Sequence, residues 1–332
     1  MRATLRPVIV SHLNPDGDAL GSSVGMAGVL RALGASPSIV VPTEYAENLS
    51  FVLPEGIPVY VHSENPEGAA AAVAAADAIF CLDFNGLSRI ENVGGLVSAR
   101  DCVKVLIDHH LFPEREAFDL IFSETKISSA SEFLFWILME TAFIGGDASK
   151  FPPESALALL TGMTTDTNNF SNSVFPSTLE MASKLLGAGV DRDFILENIY
   201  HSYREERYRL LGYLLSKKLT ITPWGVAYMV LSEDERQSFD IREGETETFV
   251  NIPLEMEKVR MSIFIKEMDD RYRVSIRSRK GVSAQQCSKR YFNGGGHENA
   301  AGGRLSRPGE FKTAGEVESY VERVTKEFFN QH

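Results

Sequence analysis

Asp108-His109-His110 closes the apolar run Val103-Lys104-Val105-Leu106-Ile107, which reads as a buried strand. Ionisable side chains gathered at a strand end are costly unless something charged sits with them. A second set, His12-Leu13-Asn14-Pro15-Asp16-Gly17-Asp18, follows another strand-like run, Pro7-Val8-Ile9-Val10. Pro15 and Gly17 shape a tight turn there. Carboxylates as close together as Asp16 and Asp18 cannot both stay ionised without a cation beside them. The two sets together point to hydrolysis assisted by two metal ions.

Two further acids fit the same scheme. Asp83 ends the run Ala78-Ile79-Phe80-Cys81-Leu82, and Asp166 lies just past a helix predicted from 154 to about 163. In open α/β sheets ligands gather outside the carboxyl ends of strands, so the four pieces are expected to converge. Each alone has an ordinary explanation, because an aspartate after a strand usually caps a helix or shapes a turn. Four separate loops supplying the same donor chemistry is a much rarer coincidence. Four carboxylates and two imidazoles suit Mn²⁺ or Mg²⁺, with Mn²⁺ favoured by the histidines and no thiolate placed for zinc. The helix after Asp18 starts with N–H groups that favour anions, and Gly21, Ser22 and Ser23 are expected to allow close backbone approach.

The elements that must position these residues are legible from periodicity. Strands are predicted at 7–10, 37–41, 78–83 and 103–107, alternating with helices at 19–33 and 130–143. An Ala-rich stretch at 68–76 reads as a helix packed on a sheet. Ser129-Ala130-Ser131-Glu132 has the pattern of a capping box. This is an α/β chain whose N-terminal sheet is mostly parallel and flanked by helices. A long helical pattern at 193–219, with Leu196, Tyr200, Tyr203, Leu210 and Leu214 in phase, is read as a connector. The expected division is a catalytic domain at 1–192, a connector at 193–219 and a smaller α/β domain with a mixed sheet at 220–332.

In that last block a strand is expected at 224–231 and two more within 259–279. In the second of these, Tyr272, Val274 and Ile276 face one side. Arg271, Arg273, Ser275, Arg277 and Arg279 face the other. A helix at about 283–292 precedes Gly294-Gly295-Gly296-His297, and a final helix runs over 314–329.

Composition narrows the class. The 332 residues are 44% hydrophobic and 23% charged, an ordinary globular balance, and carry a net charge of −12. That charge argues against broad binding to long nucleic acid but allows a short polyanion in a local basic pocket. Cys81, Cys102 and Cys287 are odd in number and far apart, which suits a reducing compartment. No cleavable signal or membrane span is read, so a cytoplasmic location is expected.

These motifs resemble those of the DHH phosphoesterase superfamily, named for the tripeptide at Asp108–His110. The block Ser11–Ser22 is similar to its first motif, Asp83 with Arg89 to its second, and Thr165-Asp166-Thr167 to its fourth. Ser275-Ile276-Arg277-Ser278 and the block Gly294–Gly303 resemble the DHHA1 substrate-binding domain. The resemblance spans essentially the whole chain. Length and domain pairing are most similar to the bifunctional nanoRNase/pAp phosphatases, which degrade very short oligoribonucleotides and dephosphorylate adenosine 3′,5′-bisphosphate (pAp). It implies one metal on His12 and Asp16, a second on Asp18, His109 and Asp166, and Asp83 bridging both. It implies that His110 touches the scissile phosphate and that Asp108 orients the imidazoles. Arg89, Ser275, Arg277, Gly294, Gly295, Gly296 and His297 are the implied substrate contacts. Family members often carry glycine after the fourth-motif Asp-Thr, where this chain has Asn168, followed by Asn169, Phe170 and Ser171.

The expected substrates are therefore short single-stranded oligonucleotides and nucleotides such as pAp, with no membrane partner. A homodimer is compatible with the sequence. Alternative activities sharing the ligand set are a linear or cyclic dinucleotide phosphodiesterase and, less favoured, a single-strand exonuclease. A regulator that binds nucleotide without turnover is disfavoured because no ligand is lost.

Overall fold

The computed structural model describes residues 4–201, 203–242 and 244–330. The chain divides into two compact units, Met1–Ser202 and Tyr203–His332.

The first unit holds strands β1 (Pro7–Val10), β2 (Ser38–Val41), β3 (Val59–Val61), β4 (Ala78–Leu82), β5 (Val103–Asp108) and β6 (Leu120–Ser123). They form one sheet in the order β3-β2-β1-β4-β5-β6, and every pair is parallel. Seven helices accompany them: α1 (Gly17–Ala32), α2 (Pro66–Ala74), α3 (Glu91–Ala99), α4 (Ala130–Met139), α5 (Pro153–Asp166), α6 (Pro176–Gly187) and α7 (Arg192–Tyr200). The sheet is covered on both faces, which is why its central strands read as unbroken apolar runs. Ile9, Ile39 and Ile107 pack with α1, α4 and α5 in one core, while Val8, Val10, Ile79 and Leu106 pack with α2 and α3 in another.

Strand order reverses between β1 and β4, where doubly wound sheets take their ligands. Register does the rest. Val10 pairs with Cys81 and Leu82 with Ile107, so the segments leading to His12, Asp83 and His109 leave the sheet side by side.

Helix α1 lies unusually close to α5. A Cβ built on Gly21 would sit 2.5 Å from the Ala158 carbonyl oxygen and 2.8 Å from the Gly162 Cα. This corrects the expectation for Gly21, Ser22 and Ser23. Gly21 faces a helix backbone rather than an anion. Ser22 Oγ donates to the Asp18 carbonyl at 2.8 Å and Ser23 Oγ to that of Ala19 at 2.7 Å, both fully buried.

The second unit is built on β7 (Thr220–Ile221), β8 (Val226–Leu231), β9 (Met261–Glu267), β10 (Arg271–Ser278), β11 (Gly295–Gly296) and β12 (Ala300–Ser306). Their order is β11-β12-β10-β9-β8-β7, mixed in sense, with β8 and β9 parallel and the other pairs antiparallel. Helices α8 (Glu205–Tyr213), α9 (Glu233–Ser238), α10 (Ala284–Tyr291) and α11 (Ala314–Asn330) complete it. Strand β10 alternates as expected, burying Tyr272, Val274 and Ile276.

The single connector helix expected over 193–219 is two helices, α7 and α8, and α8 runs on into a π-helical turn at Leu214–Lys218. The in-phase apolar residues serve different cores. Tyr200 packs against the first unit's core beside Ile195 and Ile199, which lie outside the expected phase, while Leu210 and Leu214 belong to a core in the second. Arg204 is extended at the start of α8 and bonded to Glu245 at 2.9 Å. Among the described residues no helix is long and apolar enough to cross a membrane.

Candidate metal centre

The loop after β1 delivers the first ligands. His12 Nδ1 donates to the Leu13 carbonyl at 2.9 Å, which fixes the ring so that Nε2 points at two carboxylates. Asp83 Oδ2 is 3.4 Å from that nitrogen and Asp16 Oδ1 is 3.8 Å away. Asp16 also caps α1, accepting from the Asp18 and Ala19 amides at 3.0 Å each.

A second group faces the other oxygen of Asp83. His109 Nε2 lies 3.3 Å from Asp83 Oδ1, 3.6 Å from Asp166 Oδ2 and 3.9 Å from Asp18 Oδ2. Asp166 is the last residue of α5 rather than a residue beyond it. The close α1–α5 contact therefore carries Asp18 and Asp166 toward each other.

Asp83 stands between the groups with a left-handed backbone, φ 64°, a conformation that costs energy in a residue bearing a Cβ. Its Oδ1 is buried without a hydrogen bond, and so is Asp108 Oδ2. The donor atoms of His12, Asp16 and Asp83 lie within 4.8 Å of one another, as do those of Asp18, His109 and Asp166. Hard carboxylate oxygens with imidazoles, one carboxylate oxygen turned to each group, fit divalent cations.

Protons show the strain of this arrangement without cations. Burial pushes Asp18 well above the ordinary carboxylate range, reinforced by Asp83 and Asp166. Asp166 is pushed up to about 6 by burial and by Asp83 and Asp16, against the pull of His109. Burial opposes charge on His109, but its ion pair with Asp83 and the nearby carboxylates outweigh that and raise it to about 10. His12 is likewise raised, burial being overcome by Asp16 and Asp83. Asp83 is held far below the usual range by both imidazoles in spite of its burial.

His110 sits differently. Its Nδ1 donates to Asp108 Oδ1 at 2.7 Å and lies 3.8 Å from Asp83 Oδ1. Asp108 is fully buried, so it anchors the ring. Arg89 is exposed, and its carbonyl accepts from the Leu13 amide at 3.0 Å, tying the first motif loop to the second.

The loop after Asp166 carries the departure from the family pattern. Asn168, Asn169 and Phe170 all have positive φ, 45°, 54° and 63°. Asparagine is the side chain that best tolerates the position glycine would take, so the turn survives the substitution. Thr167 Oγ1 accepts from the Phe170 amide at 3.1 Å and steadies it.

In the second unit, Arg277 and Ser275 share the half-buried face of β10. Gly294 is demanded by its surroundings, since a Cβ there would lie 1.9 Å from the Gly302 carbonyl oxygen, and Gly296 has φ 139°. A Cβ on Gly295 would meet nothing within 4 Å. The His297 amide donates to Ala300 O at 2.7 Å.

The sequence reading missed one part of the centre. The Ala130 and Ser131 amides at the start of α4 donate to Asp18 Oδ2 and Oδ1 at 2.6 and 2.9 Å. Backbone donors leave no residue-type signal, although the capping pattern at Ser129–Glu132 marked where such a helix start would lie.

Comparison with known proteins shows the family. Residues 6–163 match the model of the DHH family, N-terminal domain, and residues 224–327 that of the DHHA1 domain. The chain is 30% identical over 92% of its length to a Thermus thermophilus protein named bifunctional oligoribonuclease and PAP phosphatase NrnA, covering 86% of that protein. It is 26% identical to the Bacillus subtilis protein of the same name over 90% of this chain and 88% of that one. A Bacteroides fragilis crystal structure described as an exopolyphosphatase-related protein superposes with a TM-score of 0.89 at 34% identity, covering 98% of this chain and 93% of that one.

Proposed function

The chain belongs to the DHH family, and from that membership we propose that it is a metal-dependent phosphoesterase acting on short oligoribonucleotides and on pAp. Oligoribonucleotides are cut to nucleoside 5′-monophosphates, and pAp is dephosphorylated to AMP. The observation that carries the reading is Asp83, with one oxygen toward His12 and the other toward His109. A carboxylate so placed, buried and with Oδ1 lacking a hydrogen bond, is suited to bridging two cations.

His12 and Asp16 would hold one ion, Asp18, His109 and Asp166 the other, and Asp83 both. Mn²⁺ is favoured over Mg²⁺ by the imidazoles. The bound ions supply Lewis-acid activation of water and of the phosphoryl group. The residues of the chain do the rest. Asp108 accepts the Nδ1 proton of His110 and so fixes the orientation of the ring. That leaves Nε2 as the nitrogen to donate a hydrogen bond to the phosphoryl oxygens or a proton to the departing ribose 3′-oxygen. Arg277, a planar cation beside Ser275, is suited to grip phosphate or stack on a base, and His297 to take a terminal phosphate. The three cysteines are unpaired, which is consistent with a cytoplasmic enzyme.

The test is product analysis by mass after incubation with Mn²⁺ and a mixture of pAp, the dinucleotide pApA, a cyclic dinucleotide, a short RNA and a long RNA, with a chelated control. Metal-dependent loss of the short species with the long RNA spared is expected. Rapid loss of the long RNA, or turnover of cyclic dinucleotides alone, would overturn the assignment.

A further inference from the structure

Among the candidate ligands, Asp18 is held by a helix other than its own. Both its oxygens accept amides from the first turn of α4. Those amides point at Asp18 only while that turn keeps its place. What keeps it there is Glu132, a carboxylate with no exposed surface.

We propose that Glu132 is a positioning residue for the metal centre, holding Asp18 in place through the first turn of α4. The inference rests on the two-metal reading given above. Glu132 Oε2 accepts from the Ser128 amide at 3.0 Å, from the Ser128 hydroxyl, and from Thr178 Oγ1 at 2.7 Å. Its Oε1 faces Trp136 Nε1 at 3.4 Å. Its own amide is capped by Ser129 Oγ at 2.9 Å. The capping box expected at Ser129–Glu132 is thus modified: the carboxylate reaches one residue further back, to Ser128. Residues 128–132 become a closed turn, pinned to α6 by Thr178, and its two inner amides are the ones that hold Asp18.

The same contacts could merely knit α4 to α6. The two roles differ in what they do to the ions. A general loss of packing would weaken both sites and the fold together. A positioning role acts on the site that contains Asp18 and leaves the site of His12 and Asp16 alone.

The experiment measures Mn²⁺ binding to the purified full chain by calorimetry, resolving two affinities in the wild type. Glu132→Ala is expected to weaken one site about ten- to a hundredfold, as for other groups that orient ligands, with the second within about twofold. Asp18→Asn should weaken the same site. Glu132→Gln, whose amide oxygen can still accept from Ser128 and Thr178, should restore much of the loss. Unchanged affinities in Glu132→Ala, or an equal fall at both sites tracking a lower unfolding midpoint, would overturn the proposal. If Glu132→Ala does not fold, Thr178→Val removes one donor to the same oxygen; it should weaken the Asp18 site by a smaller factor, and unchanged affinities would overturn the role. A wild type that binds fewer than two ions overturns the two-metal reading itself, a result visible before any variant is made.

Discussion

Gly21 on α1 and Gly162 on α5 touch backbone to backbone, leaving no room for a methyl group on Gly21. Asp18 lies three residues before one glycine and Asp166 four after the other. Helix packing and ligand placement are therefore one geometry. Gly21→Ala should force the helices apart and destabilise the first unit by about 1–3 kcal/mol, the scale of overpacking a full core. Urea unfolding checks the stability, and Mn²⁺ titration should show the Asp18 site weakened. A variant as stable as wild type would mean the helices part without cost.

Asp83→Ala removes the carboxylate shared by both groups of donors. Turnover of pAp and of short RNA should fall on the order of a thousandfold or more, since stabilisation of the phosphoryl charge is lost. Metal analysis should show less bound Mn²⁺. Near-normal kcat would contradict a bridging role.

His110→Ala and Asp108→Asn should lower kcat on the order of a hundred- to ten-thousandfold, the range for a positioned acid or base, while KM changes little. Asp108→Asn replaces the carboxylate that fixes the His110 ring, so its loss in kcat should approach that of His110→Ala. Near-normal kcat in Asp108→Asn would separate Asp108 from the positioning of His110.

Ions must displace protons to bind here. His109 near 10 and Asp166 near 6 imply that binding releases protons around neutrality and tightens as pH rises. Calorimetry in buffers of different ionisation enthalpy counts them, and no release would refute the proton-held cluster. The sign for stability is opposite. A His109 raised from 6.5 stabilises the metal-free fold fully below about 6.5, and that contribution is lost as pH climbs through about 10. The cation-loaded fold should not show this alkaline decline.

Gly295 can take a methyl group without touching the protein. Gly295→Ala should leave the unfolding midpoint unchanged and raise KM for short substrates if this loop meets them. Arg277→Ala should also raise KM with metal content intact. Loss of bound metal in either variant would remove that residue from substrate contact.

The candidate ligand clusters were legible because polar residues interrupt apolar runs abruptly at Asp83 and Asp108, and a strand order placing β4 between β1 and β5 brings those ends and the loop of His12 together. The break between α7 and α8 was not legible, because Tyr200 and Leu210 keep helical spacing while serving separate cores. Strands β11 and β12 were hidden by their glycines, which lack the apolar alternation of a strand. Glu132 was seen only as half of a cap. Its partner Thr178 lies on α6, and no local pattern links the two.

The proposed ligands enter in chain order from His12 to Asp166, and the last stands at the far end of α5. During synthesis, the chain emerging from the ribosome presents the histidines and most of the acids well before it can close the second ion's shell. Until α5 has docked on α1, that set of donors is incomplete. Tight capture of both proposed ions would thus double as a report that the chain has folded through α5, and a chain truncated before Asp166 should be marked by its failure to retain them.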